Sequence, residues 1–267
     1  MAGRCEDPRH HEIWRFVRSQ LPPPPARVVE LGCGHDGGLV PCLRRSGYRA
    51  IGVDPEAPPG HAYRRSSFEQ LRPGPPIDAF VTSAALHHVG DLGYLLDQVE
   101  AMLAPGGVVI VVEWAWELFD ELTARWCFAR LGPDRSRPNW LRALEEGWAA
   151  SGLDWRGYEE QWALQAHCHR GDEMLAQLDS RFERRVLERS PYFHYDLEAT
   201  TEAAEQAAVE AGLVKATGIR YAGARRGSPG GPPGGRAAPA HPVDEGVAGA
   251  HPLAPAGSPT SKARLRL

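Results

Sequence analysis

An open α/β sheet, mostly parallel and with helices on both faces, is the fold class this sequence predicts, and three observations predict it. Val28-Val29-Glu30-Leu31 reads as a short buried strand that runs into a glycine-rich turn, Gly32-Cys33-Gly34. Ala50-Ile51-Gly52-Val53-Asp54 reads as a second buried strand, ending on a carboxylate. Two more apolar runs, Ile77 to Ser83 and Val108 to Glu113, follow with helical patterns between them, so strands and helices alternate along the chain.

The elements follow in order. Asp7-Pro8 suits a helix start, with Asp as N-cap and Pro at the first helical position. Ile13, Trp14, Phe16, Val17 and Leu21 then form an apolar stripe that the prolines at 22–25 stop. Between the first two strands, Leu39, Val40, Leu43 and Tyr48 recur at roughly helical spacing, which makes a β-turn-α-β unit. Glycines in its turn let backbone approach a ligand, and a carboxylate about 20 residues further on suits a ribose diol. The unit is therefore expected to bind a nucleoside. Asp91 caps a helix whose Leu92, Leu95, Leu96, Val99, Met102 and Leu103 keep one apolar face, a right-handed crossover into the Val108 strand.

From Trp114 to Trp162 the character changes, because seven of the eight tryptophans fall there. A sheet crossover needs one helix, yet about 60 residues intervene before the next plausible strand, near Phe182 to Leu187. The excess predicts a helical cap insertion over about 116–180, either covering an acceptor or simply packed down by its tryptophans. A helix from Glu198 to Ala211 and a strand from Gly218 to Ala224 close a domain spanning 1–226. Residues 227–267 hold eight prolines and eight glycines, too little apolar surface to offset ordering entropy, and are expected to be a disordered tail.

Gly32, Gly34 and Gly37 also satisfy the spacing of a dinucleotide fingerprint, but Glu30 stands two residues before the first glycine. A carboxylate there repels a pyrophosphate and suits a cationic sulfonium. Glu30-Leu31-Gly32-Cys33-Gly34 resembles the first motif of class I S-adenosylmethionine-dependent methyltransferases. Ile77 to Ser83 followed by Leu86-His87-His88, and Leu103-Ala104-Pro105-Gly106-Gly107 leading into Val108, resemble the later motifs in the same order. The Leu-His-His stretch is similar to the small-molecule branch, which includes the quinone-biosynthesis methyltransferases. The resemblance implies a Rossmann-like seven-stranded sheet of order 3-2-1-4-5-7-6, the seventh strand antiparallel. It also implies an enzyme with S-adenosyl-L-methionine as cofactor and a small-molecule acceptor, whose reacting oxygen, nitrogen or carbon the sequence leaves open. A cofactor-binding regulatory protein and an NAD(P)-dependent oxidoreductase are the alternatives.

The cofactor residues so implied are Glu30, Gly32, Cys33 and Gly34 around the turn, Asp54 for the ribose, and Pro55 and Phe68 beside the adenine. Ser83, closing the strand before the histidines, completes the set. His87 and His88 are the candidate catalytic bases, since imidazole titrates near neutrality. His10, His11 and Glu113 are weaker candidates. His167-Cys168-His169 is read as an alternating strand segment without a fourth ligand nearby, so no metal is expected.

Composition narrows the partners. The formal net charge is −4, and no run of basic residues exceeds two, so a nucleic-acid grip is not expected. The five cysteines are scattered without a C-x-x-C pair, which implies neither a disulfide framework nor a zinc ribbon. No apolar stretch approaches a membrane span, and no signal-peptide core is present, so a cytoplasmic protein is expected. Oligomeric state is not legible.

Overall fold

The computed structural model describes residues 8–70, 74–135 and 139–226. Its seven strands are β1 (Arg27–Leu31), β2 (Arg49–Asp54), β3 (Tyr63–Arg65), β4 (Ile77–Ser83), β5 (Leu103–Trp114), β6 (Phe182–Ser190) and β7 (Gly218–Arg225). They form one sheet of order β3-β2-β1-β4-β5-β7-β6, the order the resemblance implies. The β1–β2, β1–β4, β2–β3 and β4–β5 pairs are parallel, and β7 lies antiparallel to both β5 and β6. Sequence order runs outward from β1 to the β3 edge and then resumes on the other side at β4. That reversal places a crevice at the carboxyl ends of β1 and β4, where such sheets bind their ligands.

Strand alternation explains how both faces are covered. Val29, Leu31, Phe80, Val109 and Val111 point to one face. There they pack against Leu95, Leu96 and Val99 of α3 (Leu92–Met102) and against Met174 and Leu178 of α7 (Gly171–Arg181). Val28, Ala79, Val81 and Ile110 point the other way. They meet Phe16 and Val17 of α1 (Pro8–Gln20) and Val40 and Leu43 of α2 (Val40–Arg45).

The inserted segment has a core of its own. α4 (Glu121–Phe128), α5 (Trp140–Ser151) and α6 (Trp155–Ala166) start on the caps Asp120, Asn139 and Asp154. Each cap accepts backbone N–H groups of its first turn. Trp114, Trp116, Phe119, Trp140, Trp155 and Phe193 pack together there. Phe119 and Trp155 cross edge to face at 5.2 Å, and Trp155 Nε1 donates to the Phe119 carbonyl at 2.6 Å. The tryptophans thus pack the insertion. A cleft of about 300 Å³ between Trp116 and Trp155 is lined by Glu117, Asp120, Glu159 and Arg170 and is polar.

Within the expected cap span of 116–180, α7 behaves differently, because it lies on the sheet beside α3. The aromatic-rich part is carried by α4 to α6. The expected last helix is α8 (Glu202–Glu210), capped by Thr201. Cys33, Cys127 and Cys168 are free thiols. The expected disordered tail, 227–267, lies outside the described residues.

Candidate active site

The parallel pairing of Leu31 with Val53 brings the ends of β1 and β2 side by side, and the Gly32 N–H donates to the Val53 carbonyl at 2.9 Å. Gly32 and Asp54 therefore stand next to each other on one sheet edge. Gly32 has a φ of 81°, and a Cβ on it would lie 2.2 Å from the Ala85 Cβ in the turn after β4. Only glycine fits there.

Glu30 sits beneath this turn, 2% exposed, and its Oε1 accepts the Leu39 N–H at 3.0 Å. A Cβ on Gly38 would strike the same carboxylate at 2.3 Å. Burial pushes the Glu30 carboxyl up to about 8. Glu30 thus braces the glycine turn from inside. The Cys33 thiol is also buried, packed where a side chain on Gly52 would otherwise stand.

Asp54 is half-buried, and its Oδ1 accepts the Glu56 N–H across Pro55 at 2.7 Å. This bond fixes the carboxylate at the strand end. Phe68, in the 3₁₀ turn Phe68–Gln70, points its ring tip at Gly32. Ser83 ends β4 opposite Val112, half-buried. One neighbour escaped the sequence reading: the Tyr63 hydroxyl fills the space above Gly37, 2.5 Å from where a Cβ would be. Only the pairing of β3 onto β2 brings it there.

The other wall begins where β4 ends. Ala84 takes a left-handed φ of 49° and its N–H donates to the Val112 carbonyl, so the chain turns sharply into the 3₁₀ segment Leu86–His88. Glu113 at the end of β5 holds this segment. Its Oε1 accepts the Ala85 and Leu86 N–H groups, both at 2.6 Å. Its Oε2 accepts the Trp114 N–H at 3.2 Å and meets His87 Nδ1 at 2.7 Å. Burial alone would raise the Glu113 carboxyl; the His87 ring and the hydrogen bonds from His87, Leu86 and Ala85 outweigh it and hold the group below the usual range. With Glu113 ionised, Nδ1 of His87 is the donor in this contact.

His87 is fully buried, and its Nε2 has no hydrogen-bond partner among the described residues. His88 is exposed, with its ring 4.1 Å from that of His87. Glu113, a weaker candidate base from sequence, is a positioning group here. His10 and His11 fall in α1, and their side chains lie outside the described residues.

Residues 167–169 form the turn between α6 and α7, where a strand segment was expected. The reason is local: His167 caps α6 in the left-handed conformation, with φ 54°. The turn is clamped onto the histidine segment. The His169 N–H donates to the His87 carbonyl at 2.9 Å, His169 Nε2 to the Val89 carbonyl at 2.7 Å, and Trp116 Nε1 to the His169 carbonyl at 3.1 Å. Cys168 Sγ comes 3.7 Å from His88 Nδ1, and burial pushes its thiol up to about 12.

A doubly wound sheet with a glycine turn after β1, a carboxylate after β2 and a buried acid–imidazole pair across the crevice defines a nucleoside-cofactor protein of the Rossmann-like class. The chain belongs to the methyltransferase domain family, which it matches over residues 8–183. It is 33% identical over 122 residues to a ubiquinone biosynthesis O-methyltransferase of Bradyrhizobium diazoefficiens, a match covering 41% of this chain and 48% of the relative. The same-named protein of Bradyrhizobium sp. strain ORS 278 is 32% identical over 98 residues, covering 32% of this chain and 38% of the relative. The chain thus spans about half the length, or less, of these curated relatives. Among solved structures, the complex of the Haloferax volcanii Trm112 methyltransferase activator with the putative methyltransferase contains a chain of similar fold. The TM-score is 0.50 at 15% identity, covering 83% of this chain and 92% of that one. No helix among the described residues is long and apolar enough to cross a membrane.

Proposed function

We propose that this protein transfers the methyl group of S-adenosyl-L-methionine to a small-molecule acceptor in the cytoplasm. The observation that carries this reading is the meeting, at one sheet edge, of the Gly32 turn, Asp54 and the Glu113-held histidine segment. Methyl transfer from a sulfonium is an in-line displacement whose leaving group is already built in. The protein has to hold nucleophile and methyl carbon close and aligned, an effect worth up to roughly 7–11 kcal/mol in favourable systems.

In this arrangement the backbone N–H groups of the Gly32 to Gly38 turn, other than those of Gly32 and Gly37, which are bonded to the Val53 and Gly34 carbonyls, face the methionyl carboxylate, and Asp54 accepts the ribose hydroxyls. Pro55, Phe68 and Ser83 border the nucleoside. Glu30 and Cys33 serve by shaping the turn. His87 and His88 form the acceptor-side wall at the end of β4. Of the two, exposed His88 is open to proton exchange with an acceptor, while His87 acts only through Nε2.

Incubation with methyl-labelled cofactor and a metabolite panel tests this. Label is expected in a low-molecular-weight product and not in RNA. Cofactor binding without turnover on any metabolite would favour a regulatory binder, and preference for NAD over S-adenosylhomocysteine in a thermal-shift assay would overturn the reading.

A further inference from the structure

Three side chains from two distant segments converge beside the acceptor wall. One ring nitrogen each of His87 and His88 and the Sγ of Cys168 all lie within 4.8 Å of one another. We propose that they form a binding site for a borderline-soft divalent cation of the zinc type. Ligand atoms around a tetrahedral zinc, at its usual bond lengths, stand ~3.3–3.8 Å apart. Cys168 Sγ and His88 Nδ1 are already at 3.7 Å. The donor set of two imidazoles and one thiolate suits zinc or cobalt and not magnesium or calcium, which take oxygen.

Two further observations point to a ligand. Nε2 of fully buried His87 has no partner among the described residues, although a buried polar atom ordinarily has one. Glu113 meets the opposite ring nitrogen at 2.7 Å, the carboxylate–histidine support that fixes the tautomer of a metal-binding imidazole. The thiol is held in place by backbone, since the His169 N–H ties its neighbour to the His87 carbonyl. Three protein ligands leave a fourth position open. On the methyl-transfer reading, on which this last point alone rests, that position faces the acceptor, and the histidines act through the ion.

The test uses full-length protein stripped by chelation and titrated with Co²⁺. A thiolate-to-cobalt charge-transfer band saturating at a single equivalent is expected, and Zn²⁺ should displace it. Cys168→Ser should abolish the band. Glu113→Gln should weaken cobalt binding by about 10–100-fold. His167→Asn, which keeps a residue tolerant of the left-handed cap and removes the imidazole beside the thiol, should leave it unchanged. Cys168 is only half-buried, so its variant can be checked for folding by circular dichroism and carries the test even where a His87 variant fails to fold. Absence of the band in the parent protein, or its persistence in Cys168→Ser, overturns the site. Calorimetry with S-adenosylmethionine is run beside it: intact cofactor binding without cobalt binding sinks the metal site alone, and the reverse sinks only the methyl-transfer reading.

Discussion

On the β1–β2 side of the crevice the working groups lie within one β-α-β unit, and most are backbone. On the β4–β5 side they are side chains brought together from positions 26 to 80 residues apart, as in Glu113 with His87 and Cys168 with His88. The first wall is set by strand pairing and glycine geometry and tolerates little change at Gly32. The second depends on a buried carboxylate and on an aromatic insertion core that shares no residue with the two core clusters on the faces of the sheet. Damage to one wall should therefore leave the other working.

The largest expected effect tests that separation. Trp155→Ala empties a site 3% exposed in the insertion core and should cost about 3–5 kcal/mol of stability. Calorimetry on the folded fraction should still find near-parent affinity for S-adenosylmethionine. An equal loss of cofactor affinity would show that the two walls are one unit.

Glu113→Gln comes next. Because its carboxyl is held below the usual range in the folded protein, it contributes stability above that range, and this is lost as pH falls through the held value. At neutral pH the variant should be less stable by about 1.5–3 kcal/mol, and the gap should close in acid. A gap constant with pH in urea melts would remove the charge of Glu113 from the explanation.

Asp54→Ala probes the first wall. On the proposed reading it removes the acceptor of the ribose hydroxyls and should weaken cofactor binding roughly tenfold or more, about 1.4 kcal/mol, with little change in apo melting temperature. Unchanged affinity would take Asp54 out of the site.

The smallest effect concerns Glu30. Its folded value of about 8 stands above the ordinary 4.5, so the stability of the protonated form is complete below 4.5 and lost as pH rises through about 8. Glu30→Gln keeps the acceptor for the Leu39 N–H without that loss. Melting temperatures of variant and parent should coincide in acid and diverge in the variant's favour towards pH 8. Parallel curves would mean that the carboxyl is ionised throughout.

How much was legible follows the same division. Val28 to Leu31 and Ala50 to Val53 are apolar runs whose burial depends on neighbours in sequence, so strands, turn and carboxylate could be read directly. The strand order needed four motifs taken together. His167-Cys168-His169 is set aside in sequence as an alternating strand, because the histidine that meets Cys168 lies 80 residues away. What decides its position is the left-handed cap at His167 and backbone bonds to the histidine segment. Glu113 was visible as an acid at a strand end, but three of its four contacts are tertiary. The reach of the cap was overdrawn at its far end, since Met174 and Leu178 look alike whether they pack on tryptophans or on a sheet.

The inserted helices leave the sheet and return to it at almost one point. A Cβ on Gly171 would lie 2.6 Å from that of Ala115, and the Glu117 carboxylate receives the N–H groups of both Gly171 and Asp172. The two ends of the insertion therefore meet beside the sheet, while its body is sewn to the segment around α8: Asn139 and Trp140 both donate to Asp196, and Thr123 Oγ1 accepts the Lys215 N–H. A laboratory graft cut between 116 and 170 would therefore close at its two ends but would have to rebuild this second seam as well.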